Sequence, residues 1–552
     1  MKKILLINSP VSIYVNNTAF LPLPLLVLRS CLKEIREQGL EFFHEIIDLD
    51  LMLKQGLLND DESFYEQSGD MILERKPDVI LFTVHGLNHI VVLKLARIIK
   101  DHSPGCITIA GGVGPTLMAG EAIKNCPDID IIVKGEGEPV LKHLIPAIFE
   151  NKDFSTIQSI AYRDNGLINE NPRHYMDKSD PIGWPDYSLI SIEDYMTHNK
   201  RHPYIHPGFV PIESGRGCPN ACLFCAPAKM WKGHVRYRPV KDVIEEMKFL
   251  AAKGGDFSFF TQDNLEEGFL RDLSENLLKE NTNIKWGCYA RLDRLPEDLA
   301  ELLSGAGCRM IFTGIETPNR EVQKVIRKVI NSSTTFTKLQ RYNEHGIHLI
   351  VSFIGGFENE TDEDLNNTMS FAMECATGME LEQLNQFIRK TDQGKLPLKG
   401  PNICSIHPLS YMPGTDSFNE EKEKLHISRY SIHPDCYGSY LFSYEQFKDD
   451  WTFLGGNPYL NLLPDDMVAY YCSILRLFNF LNSRPFYFAL LLSSIGKSPI
   501  DAMKDMEMYL DREFVVNARV EEFEARAREY VNMHLGFTPD WTVKKGQYAP
   551  VC

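Results

Sequence analysis

Three cysteines are the residues of this sequence that most clearly indicate a chemical function. Cys218, Cys222 and Cys225 lie within one stretch of eight residues, and Gly215 and Gly217 come just before them. Thiolate sulfur is the ligand of iron–sulfur clusters, and glycine allows the tight backbone curvature that brings three thiolates to one centre. Three cysteines leave one iron of a cluster open to a substrate or cofactor. The spacing therefore predicts an iron–sulfur centre with an open position.

Zinc is the main alternative for these thiols. A structural zinc site is four-coordinate and its ligands usually arrive in pairs, whereas only His206 and His234 lie close enough in sequence to complete one, without the usual spacing. A chance grouping of buried cysteines is disfavoured by the glycine context. The chain has 13 cysteines, an odd number, which disfavours a disulfide framework.

The thiols belong to the second of two strand–helix series. Apolar strands separated by helical stretches are predicted at residues 209–213, 257–260, 285–289, 310–313, 347–353 and 404–408. Six such units predict an incomplete (β/α)6 barrel of the TIM type, in which ligands lie at the carboxyl ends of the strands. Polar or small residues occupy those ends, namely Gln262, Asn264, Arg291, Glu316 and Gly355.

The first series predicts an α/β domain with a doubly wound, Rossmann-like parallel sheet. Its strands are expected at residues 4–7, 43–49, 77–82, 107–110 and 129–133, and they are almost entirely apolar. Two of the strand ends are rich in glycine, which lets the backbone approach a large ligand closely. The residues at these ends are Asn8, Ser9, Thr83, His85, Gly86, Gly111, Gly112, Val113, Gly114, Gly135, Glu136 and Gly137. Either glycine stretch alone could form an ordinary turn, but together they predict a site.

Four regions follow from these patterns. We expect the Rossmann-like domain over residues 1–150, a linker with a small hairpin over 151–206, the partial barrel over 207–415 and a mainly helical domain over 416–552. In the last region the aromatic-rich stretch 430–453 is interpreted as core in preference to a substrate wall. The tail that ends in Cys552 is interpreted as a flexible end, with a lid over the barrel as the alternative.

Composition excludes several classes of protein. The 552 residues carry a net charge of −17, which disfavours a general nucleic-acid binder. Asn479, Asn482 and Arg484 interrupt the apolar stretch 477–495, so we expect a buried or substrate-facing segment and no membrane span. The apolar run at the N-terminus is too short for a signal peptide, which makes the cytoplasm the expected location.

The sequence resembles a known family at several positions. Residues 218–225, with Phe224 as the aromatic residue, match the CxxxCxΦC signature of radical S-adenosylmethionine enzymes. The resemblance continues at residues 236–239, 314–317, 355–358 and 413–415. The first region is similar to the cobalamin-binding domain of the cobalamin-dependent branch, at residues 21–25, 111–116 and 134–138. The resemblance covers about residues 1–415 and nothing beyond them.

The resemblance implies three cofactors. Cys218, Cys222 and Cys225 would hold a 4Fe–4S cluster whose open iron binds S-adenosylmethionine, and cleavage of that molecule yields a 5′-deoxyadenosyl radical that abstracts hydrogen from an unactivated carbon. Residues assigned to S-adenosylmethionine are Phe224, Gln262, Asn264, Arg291, Glu316 and Gly355. Within this set, Arg291 is expected to pair with the carboxylate. Residues assigned to cobalamin are the strand-end residues of the first series together with Pro24. No catalytic side chain is assigned.

One departure from cobalamin domains of the mutase type is informative. Those domains carry Asp-x-His-x-x-Gly after the first strand, whereas residues 8–12 here contain no histidine. Cobalt without a protein imidazole suits methyl donation, and the alternative is a domain that has lost cobalamin and serves only as a scaffold.

The resemblance favours a methyltransferase that acts on an unactivated carbon of a small-molecule, peptide or lipid precursor. A radical rearrangement, ring closure or oxidation is the alternative enzyme, and a cobalamin-binding sensor or carrier is the non-enzymatic one. The cluster motif argues against the sensor. The expected partner is an external one-electron donor of the flavodoxin or ferredoxin type.

Overall fold

The computed structural model describes residues 1–10, 19–85, 88–199, 208–392, 395–397, 399–427, 460–518, 520–539 and 541. Four features predicted from the sequence lie outside these residues. They are Gly86, His206, the aromatic-rich stretch 430–453 and the tail that ends in Cys552.

The first sheet has seven strands. They are β1 (Lys2–Asn8), β2 (Phe42–Asp48), β3 (Val79–Thr83), β4 (Ile107–Gly111), β5 (Ile131–Val133), β6 (Ile160–Asp164) and β7 (Leu167–Glu170), in the order β2-β1-β3-β4-β5-β6-β7. β1 to β5 are parallel. Leu5 and Ile7 pack into the core on one face, whereas Ile4 and Leu6 pack into the core on the other. Burial on both faces explains why these strands are continuously apolar, and it confirms the doubly wound sheet.

Helices cover both faces of this sheet. Their bounds are Leu23–Glu37, Leu49–Lys54, Ser63–Glu74, His89–His102, Val113–Leu117, Ala119–Asn125 and Gly137–Phe149. Ile192–Asn199 forms a further helix in the segment that leads to the barrel.

The predicted hairpin is present, but its assignment to the linker is wrong. β6 pairs antiparallel with β5, and β7 pairs with β6, so the first sheet continues to Glu170 beyond the boundary predicted at residue 150. A hairpin satisfies one side of each strand locally, and its sequence does not show what the other side will pair with. Here that partner is the short strand β5, whose edge the hairpin covers.

The second sheet confirms the partial barrel. Its strands are β8 (Phe209–Ile212), β11 (Phe257–Phe260), β12 (Lys285–Tyr289), β13 (Cys308–Glu316), β14 (His348–Gly355) and β15 (Ile403–Pro408), all parallel and in this spatial order. The short strands β9 (Gly215–Arg216) and β10 (Arg236–Tyr237) pair separately. The helices of this region are Ala226–Trp231, Val240–Ala251, Glu267–Lys279, Leu299–Gly305, Arg320–Val325, Ser332–Glu344, Asp362–Thr377 and Leu381–Lys390.

The described part of the C-terminal region is mainly helical, as predicted. Its helices are Asp416–Glu421, Asp465–Asn482, Pro485–Ile495, Pro499–Leu510, Arg512–Asn517 and Val520–Leu535, and β16 (His426–Ile427) pairs with β17 (Leu460–Asn461). Most of the apolar stretch 477–495 is buried, with Ser483, Ser493 and Ser494 exposed. No helix in the described part of the chain is long and apolar enough to cross a membrane.

Two polar residues of the stretch 477–495 bind the backbone of the edge strand of the barrel. β15 is the last strand of the sheet, so its outer backbone groups need partners from elsewhere. The Asn479 carboxamide donates to the carbonyl of Ile406 at 2.8 Å and accepts from its amide at 2.9 Å. Asn482 donates to the carbonyl of Cys404 at 3.0 Å. The helix Asp465–Asn482 thus takes the place of a neighbouring strand.

Candidate active site

The cysteine loop is shaped by glycine. Gly217 has a φ of +104°, and a Cβ on this residue would collide with the carbonyl oxygen of His234. The loop then turns from Cys218 to Cys225, which precedes the helix Ala226–Trp231. Cys222 is buried, whereas Cys218 and Cys225 are partly accessible. The glycine therefore permits the close approach that the spacing predicted.

The three thiols share one loop and interact electrostatically with one another and with two cations. Burial raises the pKa of Cys225 to about 12, and the charges of Cys222 and Cys218 add to the rise. Burial also raises the pKa of Cys222, while Lys328 and Arg291 oppose that rise. Among the described residues, no three Cys, His, Asp or Glu side chains are grouped so as to hold a metal ion. Soft thiols on one loop with cations beside them form a donor set that fits an anionic iron–sulfur cluster.

Arg291 lies at this loop, but its guanidinium already has protein partners. It pairs with both carboxylate oxygens of Asp293, at 3.0 and 2.8 Å, and donates to the Asn220 side-chain oxygen at 3.1 Å. Asn220 in turn donates to the Cys218 sulfur at 3.3 Å. The Asn264 side-chain oxygen accepts from the Arg291 amide at 3.0 Å. Asn264 and Arg291 therefore support the cysteine loop, and Asn220 and Asp293 are functional candidates that the sequence analysis missed.

Glu316 forms a buried ion pair with Lys328 at 2.6 Å. Glu316 has a φ of +68°, a left-handed conformation that is costly for a residue with a side chain. Gly314 leaves room for this turn, because a Cβ there would overlap the Glu316 carboxylate. Lys328 was missed by the sequence analysis, since it stands outside every strand end.

Three further residues assigned to S-adenosylmethionine have different surroundings. The Nε2 of Gln262 is buried and has no hydrogen-bond partner among the described residues. Phe224 packs with an apolar group at the barrel mouth that includes Phe357 and Tyr411. At Gly355, a Cβ would lie 3.2 Å from Leu365, so this position faces the outer helices and offers a ligand only its backbone.

A cavity of about 630 Å³ joins the two sheets. From the first sheet it is lined by Pro24, Thr83, Gly111, Gly112, Val113, Gly135, Glu136 and Gly137. From the barrel and the helix after Cys225 it is lined by Phe209, Phe259, Gln262, Asp263, Tyr289, Met230 and Trp231, among others. A ligand of this volume would therefore touch both the glycine loops and the helix that begins at the last cysteine. The glycine-lined, largely apolar walls fit a large planar cofactor.

Four residues assigned to cobalamin do not line this cavity. Asn8 donates to Asp48 at 2.9 Å, and Ser9 accepts from Asn88 at 3.0 Å. Gly114 is buried in the helix Val113–Leu117, and His85 is exposed. Their assignment to cobalamin stays a prediction that the cavity does not support. The chain turns away after each strand, so that only some strand-end residues face the cavity.

The acidic residues of the 135–138 loop bind an arginine of the barrel. Arg216 lies two residues before Cys218 and pairs with Glu136 at 2.5 Å, Glu138 at 2.6 Å and Glu213 at 2.8 Å. Arg236 also pairs with Glu136. Burial pushes the pKa of Glu138 upward, but the charge of Arg216 outweighs it and leaves that pKa below its ordinary value. This ion cluster connects the two domains beside the cysteine loop.

Asp263 is a further residue that the sequence analysis left unassigned. It lines the cavity and accepts from the Trp231 indole at 2.8 Å. Burial raises the pKa of its carboxyl group to about 6. Its position beside Gln262, at the end of a predicted strand, could have identified it from the sequence as a site residue.

Two family models match the chain. The radical SAM superfamily model matches residues 212–372, and the B12 binding domain model matches residues 25–145. The first range contains the cysteine loop. The second contains the glycine-rich loop after β4, the 135–138 loop and most of the helix Gly137–Phe149.

Curated relatives share about a quarter of their residues with this chain. An uncharacterized methyltransferase of Pyrococcus horikoshii is 27% identical over 58% of the chain and 69% of the relative. The anaerobic magnesium-protoporphyrin IX monomethyl ester cyclase of Rubrivivax gelatinosus is 28% identical, and the chain spans 56% of its length. The bacteriochlorophyllide d C-12(1)-methyltransferase of Chlorobaculum tepidum is 26% identical over 72% of the chain and 75% of the relative.

Solved structures share the fold. The radical S-adenosylmethionine methyltransferase TsrM of Kitasatospora setae, with cobalamin and a 4Fe–4S cluster bound, has a TM-score of 0.62 at 17% identity over 96% of this chain and all of its own. The cobalamin-dependent radical enzyme OxsB, with aqua-cobalamin and S-adenosylmethionine bound, has a TM-score of 0.63 at 17% identity, over 99% of this chain and 77% of its own. At this identity the likeness shows a common architecture.

Proposed function

The chain belongs to the cobalamin-dependent radical S-adenosylmethionine enzymes, and on that premise we propose that it transfers a methyl group to an unactivated carbon. The substrate would be a small-molecule, peptide or lipid precursor. One observation carries the proposal: a single cavity is lined by the glycine loops of the first sheet and by the helix that begins after Cys225. Methyl donation and hydrogen abstraction would therefore take place in one continuous space.

Three sets of residues would hold the cofactors. Cys218, Cys222 and Cys225 would ligate the 4Fe–4S cluster. The unpaired Nε2 of Gln262 is a donor available to S-adenosylmethionine, and the cavity-facing glycines would pack on cobalamin. When bound, the cluster with S-adenosylmethionine supplies hydrogen abstraction, and cobalamin supplies the methyl group.

The protein's own task is positioning and exclusion of water. Asn220 and Arg291 hold Cys218 in place, and the Glu316–Lys328 pair sets a cation beside Cys222. Arg291 can reach an S-adenosylmethionine carboxylate only by exchanging Asp293 for it, so we propose a supporting role in addition to the predicted carboxylate contact. The apolar cavity walls keep water from the reacting atoms.

Ring closure or oxidation without methyl transfer is the second candidate. It is favoured by the similarity to an anaerobic cyclase of Rubrivivax gelatinosus. In either reaction an external one-electron donor of the flavodoxin or ferredoxin type would reduce the cluster. The cytoplasm is the proposed location.

A labelled methyl group separates the two reactions. Reconstituted enzyme is incubated anaerobically with extract of cells that lack it, a reductant, cobalamin and S-adenosylmethionine that carries a deuterated methyl group. We expect a new product that contains the intact label, heavier than its precursor by about 14 Da in the unlabelled reaction. A new product without label would contradict methyl transfer and support the second candidate. Enzyme with Cys222→Ala is the control and should form neither product.

A further inference from the structure

An arginine beside the 135–138 loop has no polar partner. Arg173 follows β7 and is partly accessible. Its guanidinium forms no hydrogen bond and no ion pair with any described residue, and its Nε atom is buried. Taking a cation partly out of water without a counter-charge costs free energy. This arginine therefore lacks the anion that would compensate its charge.

Arg216 shows what such compensation does. It pairs with three glutamates, and their charges hold its pKa well above the ordinary value although the residue is buried. Burial lowers the pKa of Arg173, and the nearby Tyr175 and Glu136 oppose that effect without outweighing it. Glu136 is already bound by Arg216 and Arg236. It is therefore not free to compensate Arg173.

Arg173 belongs to a group of stacked cationic and aromatic side chains. Its guanidinium lies over the ring of Tyr175, 4.4 Å from the ring centre. The Lys232 ammonium lies 5.2 Å from the same centre, and the imidazole of His234 stacks on the ring at 5.4 Å. None of the four side chains forms a hydrogen bond with a described residue. Arg173, Tyr175, Lys232 and His234 are here called the cationic stack.

The cationic stack stands at the rim of the 630 Å³ cavity. A Cβ on Gly135 would lie 3.0 Å from the Arg173 Nε, so the guanidinium lies against this glycine. Gly135 lines the cavity, and so does Trp231, the residue before Lys232. The stack itself does not line the cavity. An anion held by the stack would therefore belong to a part of the ligand that extends past the rim.

Cobalamin has such a part. Its corrin ring carries a nucleotide loop with one phosphodiester, the only anionic group among its side chains. The cavity has the volume of a site for a drug-sized ligand, and cobalamin is larger, so part of the cofactor must lie outside it. A guanidinium binds a phosphate through two parallel hydrogen bonds, and an ammonium adds a point charge.

We propose that the cationic stack is a binding site for a phosphate ester, that Arg173 is its main donor, and that the phosphodiester of cobalamin occupies it. The assignment rests on the proposed function for the presence of cobalamin and does not require methyl transfer. It extends the cobalamin site from the glycine loops to the segment after β7 and to the residue that follows the helix Ala226–Trp231.

Two corrinoids test the proposal. Cobinamide has the corrin ring of cobalamin but lacks the phosphodiester and the nucleotide base. Full-length protein with its cluster, produced without corrinoid, is dialysed against each of them, and absorbance measures the bound corrinoid. We expect the parent protein to bind cobalamin more tightly than cobinamide. Arg173→Gln should weaken the binding of cobalamin about tenfold and leave the binding of cobinamide unchanged.

Further variants separate charge from packing. Arg173→Lys keeps the charge without the planar fork, so its affinity for cobalamin should lie between those of the parent and Arg173→Gln. A rise in ionic strength should weaken cobalamin binding more in the parent than in Arg173→Gln, a difference that a merely structural role would not produce. Arg97→Gln, at an exposed ion pair of the first domain, is the matched control and should bind both corrinoids as the parent does.

Some results would overturn the assignment. They are an unchanged affinity of Arg173→Gln for cobalamin, an equal loss for both corrinoids, or no binding of cobalamin to the parent. Binding of phenyl phosphate to the cobalamin-loaded enzyme that depends on Arg173 would give the site to a phosphorylated substrate and would also overturn it. Dialysis requires no turnover. Failure of the labelled-methyl experiment with an intact preference for cobalamin would therefore reject the reaction and retain the site.

Discussion

At the scale of single residues, the surroundings of Cys222 depend on a buried ion pair. Lys328 and Glu316 are almost fully buried, at 7% and 6% exposure, so neither charge is hydrated. Lys328 also opposes the rise of the Cys222 pKa that burial causes. The pair therefore affects both the stability of the barrel mouth and the readiness of a thiol to bind iron.

Removing one member of this pair should be costly. Lys328→Met leaves the Glu316 carboxylate buried without a counter-charge, and we expect a loss of about 3–5 kcal/mol in the free energy of unfolding. The double variant Glu316→Gln with Lys328→Met should recover most of that loss. Urea denaturation of the three proteins measures it, and equal stability of Lys328→Met and the parent would show that the pair is not coupled.

Cluster assembly should depend on three thiols of the chain and not on others. After anaerobic reconstitution we expect about four irons per chain, and the variant with alanine at Cys218, Cys222 and Cys225 should bind none. Alanine at Cys31, a buried cysteine of the first domain, should leave the iron content unchanged. Iron and sulfide analysis provides the measurement, and a full cluster in the triple variant would contradict the ligand assignment.

At the scale of elements, the edge strand of the barrel and the glycine loops of the first sheet can each be tested by substitution. Asn479 binds both backbone groups of Ile406 on the edge strand. Asn479→Leu would leave these two groups unpaired, so we expect it to lower the free energy of unfolding by about 2–4 kcal/mol. Asn517→Leu, at an exposed helix position, should change it by less than about 0.5 kcal/mol. Chemical denaturation measures the free energy of unfolding of both variants. Equal losses in the two would mean that the helix Asp465–Asn482 does not take the place of a strand.

The glycine loop of β4 can be used to test corrinoid binding. Gly111 has room for a side chain, with Val133 3.7 Å from an added Cβ, whereas a Cβ at Gly112 would collide with the backbone of Val84. Gly111→Phe should therefore fill the cavity without breaking the fold and reduce co-purified corrinoid at least about tenfold. Gly105→Phe, at an open position outside the cavity, is the matched control. Absorbance spectroscopy measures the corrinoid, and full retention in Gly111→Phe would place cobalamin elsewhere.

At the scale of the whole molecule, Arg216 and its partners join the two domains at the cysteine loop. The pKa of Glu138 lies below its ordinary value in the folded protein. Its ionisation therefore stabilises the folded state at pH values above that ordinary pKa. This contribution should disappear as the pH falls through the lowered pKa. The stability difference between the parent and Glu138→Gln should therefore be present at pH 7 and shrink below about pH 4. Urea denaturation across pH tests this, with Glu321→Gln, at an exposed ion pair, as the control that shows little difference at any pH.

Patterns along the chain were sufficient for the two parallel sheets, and they named the candidate ligands of the cluster. Continuous apolar strands predicted both parallel sheets, because burial on two faces requires apolar residues at every position. The cysteine spacing predicted the candidate ligands for a related reason: all three lie on one short loop, where sequence distance limits spatial distance. Of the residues predicted for the first-domain site, Gly111 and Gly135 do line the cavity.

Contacts between distant segments could be seen only in the tertiary structure. Nothing near Asn8 or His85 indicates that the chain turns these residues away from the cavity, and nothing near Gly355 indicates that it faces the outer helices. Lys328, Arg216 and Asn479 gain their roles from partners in other elements, since an ion pair or an edge hydrogen bond depends on how the elements pack. The periodicity of an element shows which face is buried, but only packing determines what that face meets.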